Sequence, residues 1–199
     1  MPLFLDEYEF REDLNYLIYF RGGFAPCTRG HFSLIQQFVS YPNVKYFIHQ
    51  IGERHGIPYK VNRKILKIYL KELFSDEIRE KITVKRMGSS LEVLEHIENI
   101  DVVIYLKGNG EKDVSEDYSH LRSRFSPLIS ELKERGIPLH FLIIDRPLIN
   151  KLSATKFVEA VSVLSHSHAS RHNSLSYFMP EGLSHRNISY IISKLRRYV

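Results

Sequence analysis

Glycines, a threonine and a histidine follow the first buried apolar run of the chain, at a spacing that suits phosphate binding. Residues 16–20 predict a strand, and the residues after it predict a turn and the start of a helix. Glycines let backbone N–H groups approach an anion closely, and the start of a helix favours negative charge. In this first segment (residues 22–31), we expect Thr28 and His31 to face a phosphate, surrounded by the backbone of Gly22, Gly23, Phe24 and Gly30. An ordinary glycine turn before a capped helix explains the same residues equally well.

A second segment (residues 153–158) opens a predicted helix later in the chain. It begins with two hydroxyl side chains and a lysine, in the order Ser153, Ala154, Thr155, Lys156. The helix dipole, the hydroxyl donors and the cation would act together on a phosphate chain. The alternative is a serine N-cap beside surface lysines, which is a common way to begin a helix.

Strands and helices alternate along the chain and must position these two segments. Apolar runs predict five strands, at residues 16–20, 44–51, 81–87, 101–106 and 138–144. Helical spacing occurs at residues 31–39, 61–73, 91–100, 118–135, 153–164 and 188–195. The alternation predicts an α/β fold, a mostly parallel five-stranded sheet with helices on both faces. Ligands of such sheets bind beyond the carboxyl ends of the strands, here the loops after residues 20, 51, 106 and 145.

Both segments resemble signatures of the nucleotidylyltransferase superfamily. Thr28-Arg29-Gly30-His31, preceded by Gly23-Phe24-x-Pro26, is similar to the pattern H/T-x-G-H. The second segment is similar to S-x-T-x-x-R, but Val158 stands where the family has arginine, so Lys151 or Lys156 would have to supply that charge. The resemblance implies a Rossmann-like fold and transfer of a nucleotidyl group from a nucleoside triphosphate to a phosphorylated acceptor, with release of pyrophosphate. It also implies that Thr28 and His31 polarise the transferred phosphate.

Weaker similarities extend the resemblance to other parts of the chain. Residues 58–66 are similar to the acceptor-binding loop and helix of adenylyltransferases, with Arg63 and Lys64 as the acceptor-binding candidates; solvated helix charges are an equal alternative. Gly108 and Asn109 precede Gly110 where many relatives have Gly-x-Asp, and their backbone would meet adenine and ribose. Residues 178–183 are similar to the closing segment of phage-type members, which implies a viral relationship.

Composition and net charge limit the classes of partner that we expect the chain to bind. The chain of 199 residues carries a formal net charge of +5, which favours nucleotides, phosphorylated metabolites or nucleic acid. Nucleic acid is the least favoured, because only net charge supports it, and the two basic clusters at residues 60–67 and 194–197 suit solvated helix faces.

The only cysteine, Cys27, excludes an intrachain disulfide and suits a reducing, cytoplasmic compartment. No run is long enough to span a membrane. His166, His168 and His172 lack neighbouring ligands, so we predict no protein metal site.

The sequence therefore predicts a single domain over residues 1–199, with its core at 16–164 and a helical appendage at 165–199. We predict an adenylyltransferase that uses ATP, with Mg²⁺ bridging the phosphates, and nicotinamide mononucleotide as the first candidate acceptor. Phosphopantetheine, or a sugar or polyol phosphate with CTP, stay open as acceptors, and a homo-oligomer is left open. The alternatives are a catalytically impaired nucleotide-binding protein of the same fold and, last, a basic nucleic-acid-binding domain.

Overall fold

A computed structural model describes residues 3–4, 7–22, 24–50, 52–109, 118–145, 152–163 and 171–199. The chain forms two compact units, each made of three stretches. We call Met1–Arg21, Tyr41–His49 and Lys81–Pro147 the sheet unit. We call Gly22–Ser40, Gln50–Glu80 and Leu148–Val199 the helical unit. The expected single domain with a C-terminal appendage stays a prediction.

Strands of the described residues form one sheet of six, in the order β1-β6-β5-β2-β3-β4. Their bounds are β1 Leu3–Phe4, β2 Tyr16–Gly22, β3 Val44–Gln50, β4 Ile82–Arg86, β5 Val102–Asn109 and β6 Leu139–Asp145. The pairs β1·β6, β5·β6 and β2·β5 are parallel, with Phe20 opposite Leu106. The five predicted strands are confirmed, each starting within one residue of its prediction. The additional strand, β1, has two residues and is too short to show an alternating pattern.

Alternation along the strands builds the core of the sheet unit. Side chains two residues apart share a face, so Leu17 and Tyr19 of β2 lie beside Val103 and Tyr105 of β5. The apolar sides of neighbouring helices pack on this face, and Phe125 is fully buried among them. Its ring lies 4.6 Å from that of Tyr105, centroid to centroid. This aromatic cluster packs against the middle of the sheet.

Helices of the described residues follow the predictions in place, with differences in type and number. They are α1 Arg29–Gln36, α2 Tyr59–Leu73, α3 Asp76–Glu80, α4 Tyr118–Arg124, α5 Ser126–Glu134, α6 Ala154–Val163, α7 Arg171–Ser176 and α8 His185–Leu195. The predicted helix at 91–100 is instead a shorter 3-10 helix, Ser90–His96, and Asn99, with a φ of 58°, lies beyond its end. The predicted helix at 118–135 divides into α4 and α5 at Phe125, with Pro127 near the start of α5.

Two short helices were not predicted. The helices α3 and α7 have five and six residues, too few for a clear helical period. The stretch 162–173 is rich in serine and histidine, a composition typical of a loop, but its first residues lie in α6 and its last in α7. Its middle lies outside the described residues.

A carboxylate joins α2 to α8 in the helical unit. Glu72 accepts hydrogen bonds from the backbone N–H of Ser184 and from the side-chain amide of Asn187, both at 2.7 Å. Ser184 is the N-cap residue of α8, and its hydroxyl accepts from the N–H of Asn187. Burial alone would raise the pKa of the Glu72 carboxyl, but the bonds from Ser184 and Asn187 outweigh it and hold the pKa below its ordinary value. Glu72 therefore contributes its negative charge to the start of α8.

Replacing Glu72 by alanine is expected to lower the free energy of unfolding by about 1 kcal/mol at neutral pH, the usual cost of losing a helix cap. A folded-state pKa below the unfolded value stabilises the protein above the unfolded pKa, and the contribution fades as pH falls through the folded pKa. Denaturant unfolding of the wild type and Glu72→Ala should thus differ at neutral pH and converge in acid. Glu98→Ala, at an exposed position, is the control. A difference that persists unchanged in acid would contradict the role of the ionised carboxyl.

Candidate functional site

The strand order places a topological switch point between β2 and β5. From β2 the chain continues to β3 and β4 on one side of the sheet, and then to β5 and β6 on the other. Ligands of open α/β sheets bind outside the carboxyl ends of the strands at such a point. Gly22 ends β2, and Gly108 and Asn109 end β5, where they pair with Ile144 and Asp145. Gly23 lies outside the described residues. The nucleotide-binding roles of these residues stay predictions.

A buried glutamine supports the backbone of the first segment. The side-chain amide of Gln50 donates to the carbonyl oxygen of Phe24 at 2.5 Å, and Gln50 is fully buried. Phe24 has a φ of 35°, a left-handed conformation that is costly for a residue with a side chain. The Gln50 Oε1 atom is buried and has no hydrogen-bond partner among the described residues. Sequence reasoning missed Gln50, although it lies at the end of the second predicted strand, beside a loop that the fold singles out.

Thr28 and His31 lie together at the start of α1, as predicted for the first segment. Thr28 is the N-cap residue and is fully buried, while His31 is half-buried. His31 Nδ1 lies 3.3 Å from the backbone N–H of Thr28 and 2.9 Å from Thr28 Oγ1. Since Nδ1 accepts the backbone N–H, the neutral imidazole carries its proton on Nε2. The N-terminal capping arrangement therefore orients His31 and sets its tautomer.

Neighbouring residues hold this helix start in place. Gly30 is buried in the first turn of α1, and its carbonyl oxygen accepts from the Ser33 hydroxyl at 2.9 Å. The Phe24 ring lies 5.1 Å from the imidazole of His31, centroid to centroid. The capped helix of the alternative interpretation is thus present. Phosphate binding at this helix start stays a prediction.

Cys27 is packed inside the first segment and is fully buried. Burial raises the pKa of the thiol well above its ordinary value, so the thiolate needed for nucleophilic attack is disfavoured. We expect iodoacetamide to alkylate the native protein at least about 100-fold more slowly than the urea-unfolded protein, because alkylation requires exposure and the thiolate. Mass spectrometry after timed quenching measures both rates. Equal rates would show that Cys27 is accessible and reactive.

The second segment begins α6 as predicted. The Ser153 hydroxyl accepts the backbone N–H of Lys156 at 3.2 Å, so Ser153 caps the helix. Ala154 is buried, whereas Thr155 and Lys156 are exposed and Val158 is half-buried. The serine N-cap of the alternative interpretation is therefore present. The exposed hydroxyl and ammonium groups beside it remain accessible to a ligand.

A histidine that sequence reasoning missed faces the second segment. His55 Nε2 lies 3.5 Å from Thr155 Oγ1. His55 and Gly56 have φ values of 55° and 70°, as in a type I′ turn, and Arg54 bridges to Ile57 across them. Burial, followed by the positive charge of Arg54, lowers the pKa of His55, so its ring is neutral at pH 7. Its position in the loop after the second predicted strand was a signal that could have found it.

Phe178 connects the two segments within the helical unit. Its carbonyl oxygen accepts the backbone N–H of Arg29, the first residue of α1, at 2.7 Å. Its ring stacks on that of Phe157 in α6, with centroids 5.3 Å apart and an interplanar angle of 12°. The Arg29 guanidinium also forms an ion pair with Glu181 at 2.6 Å. The starts of α1 and α6 are therefore tied to one short stretch of chain, residues 178–181.

The two acceptor-binding candidates occupy different positions on α2. Both Arg63 and Lys64 are exposed. The ammonium group of Lys64 lies 4.9 Å from the centre of the Tyr190 ring in α8. Lys64 therefore faces α8, and the acceptor-binding role of either residue stays a prediction.

A second buried network, also missed from the sequence, lies in the sheet unit. His49 Nδ1 is 2.9 Å from the Tyr19 hydroxyl, and His49 Nε2 is 3.3 Å from Glu92 Oε2. Burial lowers the pKa of His49, although Glu92 acts in the opposite direction, and burial raises the pKa of Tyr19. A protonated Tyr19 then donates to Nδ1, and the neutral imidazole donates to Glu92 from Nε2. Each group has its partner, so the network stabilises the end of β3.

The described residues contain neither a metal-binding cluster nor a helix that could span a membrane. Among them, no three histidine, cysteine or acidic side chains lie close enough to hold a metal ion. His166, His168 and the His172 side chain fall outside what is described. No helix of the described chain has the length and hydropathy to cross a bilayer.

Comparisons with known proteins identify the fold. No family model matches the chain, and no curated protein sequence matches it. Among solved structures, one similar protein is described as a nicotinate-nucleotide adenylyltransferase from Vibrio parahaemolyticus; it is 14% identical, with a TM-score of 0.53, over 94% of this chain and 98% of that protein. Two others are Plasmodium falciparum nicotinic acid mononucleotide adenylyltransferase, complexed with APC and with NaAD. They are 15% and 13% identical, with TM-scores of 0.54 and 0.56, each over 93% of this chain and 98% of the other.

These matches confirm the predicted α/β Rossmann-like class and show that the chain shares the fold of these adenylyltransferases. The similarity spans nearly the whole chain. The resemblance of the first and second segments to the superfamily signatures stays a prediction. Viral relationship, cytoplasmic location and oligomeric state stay predictions.

Proposed function

We propose, from the fold that this chain shares with adenylyltransferases, that it transfers an adenylyl group from ATP to a phosphorylated acceptor. The observation that carries the proposal is the start of α1, where Thr28 sets the tautomer of His31 so that Nε2 carries a proton. A neutral imidazole with its proton on Nε2 is a hydrogen-bond donor suited to a phosphate oxygen. Two of the fold neighbours are complexes, with APC and with NaAD, and they support a nucleotide as ligand.

The proposed reaction is an in-line displacement. An oxygen of the acceptor phosphate attacks the α-phosphorus of ATP, and the bond from that phosphorus to the bridging oxygen of pyrophosphate breaks. His31 donates from Nε2 to a non-bridging α-phosphate oxygen, where negative charge must be stabilised in the transition state. Positioning and electrostatic stabilisation account for most of the catalysis in such transfers.

The second segment would hold the leaving group. Thr155 and Lys156 are exposed beside the start of α6, and their hydroxyl and ammonium groups suit the β- and γ-phosphates. Ser153 already accepts a bond as the cap, so its hydroxyl can still donate to a phosphate. The small side chain of Ala154 takes up little space at the first turn of α6. His55, 3.5 Å from Thr155, would lie beside the same phosphates. Mg²⁺ bound together with the nucleotide would supply positive charge to the phosphates.

The phosphorylated acceptor, the second substrate, has several candidates. Nicotinic acid or nicotinamide mononucleotide is the first candidate, given the names of the fold neighbours and the resemblance of residues 58–66. Arg63 and Lys64 would then bind its phosphate. Phosphopantetheine, and sugar or polyol phosphates with CTP, are the other acceptors to assay.

Val158 favours a second candidate function, a nucleotide-binding protein without catalysis. Valine cannot donate to a phosphate, so the charge that the family arginine supplies must come from elsewhere or be lost. Pyrophosphate release, measured with ATP or CTP across the acceptor panel, separates the candidates. Release that requires both nucleotide and acceptor supports transfer, whereas calorimetric ATP binding without release supports the binding protein.

Restoring the arginine with Val158→Arg is expected to raise kcat/KM about 10-fold, since a guanidinium grips a phosphate through two donors. Val158 is half-buried near the start of α6, where a long side chain can reach solvent. Val158→Gln is the matched control, because the glutamine side chain is long and polar like that of arginine but carries no charge. An Arg variant no faster than the Gln variant would show that this position does not contact the nucleotide.

A further inference from the structure

The structure brings the two basic clusters of the sequence together in one groove. The start of α2 faces the end of α8, and between them lies a cavity of about 350 Å³. Its lining includes four cations and two tyrosines: Lys60, Lys64, Lys194, Arg197, Tyr190 and Tyr198. None of the described residues that line it is acidic. We call this cavity the basic groove.

The positive surface continues along both helices. A second cavity, of about 480 Å³, lies between the end of α2 and the start of α8 and adds Lys71 and Arg186. The acid among its lining residues, Glu72, is already bonded to Ser184 and Asn187 at the start of α8. From Lys60 to Lys71 the helix rises about 16 Å, so the cations form a stripe rather than a point. A stripe of this kind suits an extended polyanion.

Two lysines share one aromatic ring inside the groove. The ammonium groups of Lys64 and Lys194 lie 4.9 Å and 5.5 Å from the centre of the Tyr190 ring. Cation–π attraction offsets part of their mutual repulsion, and an anion bound between them would offset more. The Tyr190 hydroxyl is buried without a hydrogen-bond partner among the described residues. Tyr198, at the edge of the groove, is 37% exposed.

We propose that the basic groove binds single-stranded nucleic acid through its phosphodiester backbone. Cations that track a backbone, interleaved with aromatic rings on which bases stack, are the features that bind single strands without sequence preference. An acidic peptide would satisfy the cations but would leave the rings unused. In the sequence, only the net charge suggested nucleic acid as a ligand. The structure adds a second reason, because the packing of α2 beside α8 brings the two basic clusters together. The groove shares Lys64 with the acceptor-binding candidates, so the test below leaves Lys64 unchanged and does not depend on adenylyl transfer.

The test is fluorescence anisotropy with labelled oligo(dT) and oligo(rU), titrated over a range of salt concentrations. The double variant Lys194→Ala/Arg197→Ala should bind at least about 10-fold more weakly than wild type. It should also flatten the salt slope by about 0.7 for each phosphate that the variant no longer neutralises. Arg122→Ala/Lys133→Ala, which removes two cations from a different cavity in the sheet unit, is the matched control and should bind as wild type does. Tyr198→Ala leaves the charge unchanged and should also weaken binding, because bases can no longer stack on this exposed ring.

Three results would overturn the proposal. The first is an absence of oligonucleotide binding at low salt. The second is equal weakening by the control double variant, which would reduce the effect to net charge. The third is displacement of the oligonucleotide by polyglutamate or inorganic tripolyphosphate at matched charge, together with wild-type binding by Tyr198→Ala. That result would assign the groove to small or peptide polyanions. Circular dichroism spectra of each variant confirm that the fold is retained.

Discussion

His31→Ala is expected to lower the turnover number about 100-fold or more while the protein still folds. Removing one preorganised donor to a developing phosphate charge typically costs that much, about 2.7–4 kcal/mol of transition-state stabilisation. Folding survives because His31 is half-buried and the cap that it forms with Thr28 is worth roughly 1 kcal/mol. Pyrophosphate release under saturating ATP and acceptor measures the turnover number, and thermal unfolding measures the fold.

A matched control separates the chemistry from a general effect of losing a histidine. His120 is exposed on α4 in the sheet unit, so His120→Ala should keep the wild-type rate. Thr28→Ser, which keeps the cap hydroxyl, should retain most of the activity, whereas Thr28→Val should remove the hydroxyl from His31 Nδ1 and slow turnover. Wild-type turnover in His31→Ala would remove His31 from the mechanism.

Phe157→Ala is expected to lower the free energy of unfolding by about 3–5 kcal/mol, the usual cost of truncating a fully buried phenylalanine. Phe157 has no exposed surface, and its ring stacks on Phe178 at 5.3 Å. The stack also ties α6 to the residue that receives the Arg29 N–H, so ATP affinity should fall along with stability. Urea unfolding followed by circular dichroism gives the stability, and calorimetric titration gives the affinity.

The control for this change is the neighbouring aromatic residue. Tyr177 is 51% exposed, and Tyr177→Ala should change stability by no more than about 0.5 kcal/mol. If Phe157→Ala proves too unstable to purify, Phe157→Leu should fold, at a cost of roughly 1 kcal/mol, and still weaken ATP binding. A cost below about 1 kcal/mol for the alanine variant would mean that α6 is not held through this stack.

The local hydrophobic pattern was sufficient to predict the strands. Contacts between residues far apart in the sequence could not be predicted from it. The strands β2 and β5 begin with five consecutive apolar residues, and β3 contains three, so their positions follow from local sequence. The grouping of Thr28 with His31 was also predictable, because both lie within one turn of the same helix. The helices α3 and α7 were missed because five or six residues carry no resolvable period.

The parts of the site that were missed depend on tertiary contacts. Thr155 is 100 residues from His55 in sequence, and their side chains meet only once the helical unit is folded. Gln50 looks like one more strand residue until its amide is seen to hold the Phe24 carbonyl. In the same way, Lys64 and Lys194 each suit a solvated helix face, and only the packing of α2 beside α8 places them over one ring.

A crystal structure with a non-hydrolysable ATP analogue bound is the most direct measurement. We predict that one triphosphate spans the helical unit, with an α-phosphate oxygen within hydrogen-bond distance of the imidazole at the start of α1 and the terminal phosphates beside Thr155 and Lys156. An analogue that touches one of these helix starts and leaves the other in water, or that binds at another surface, would contradict the account.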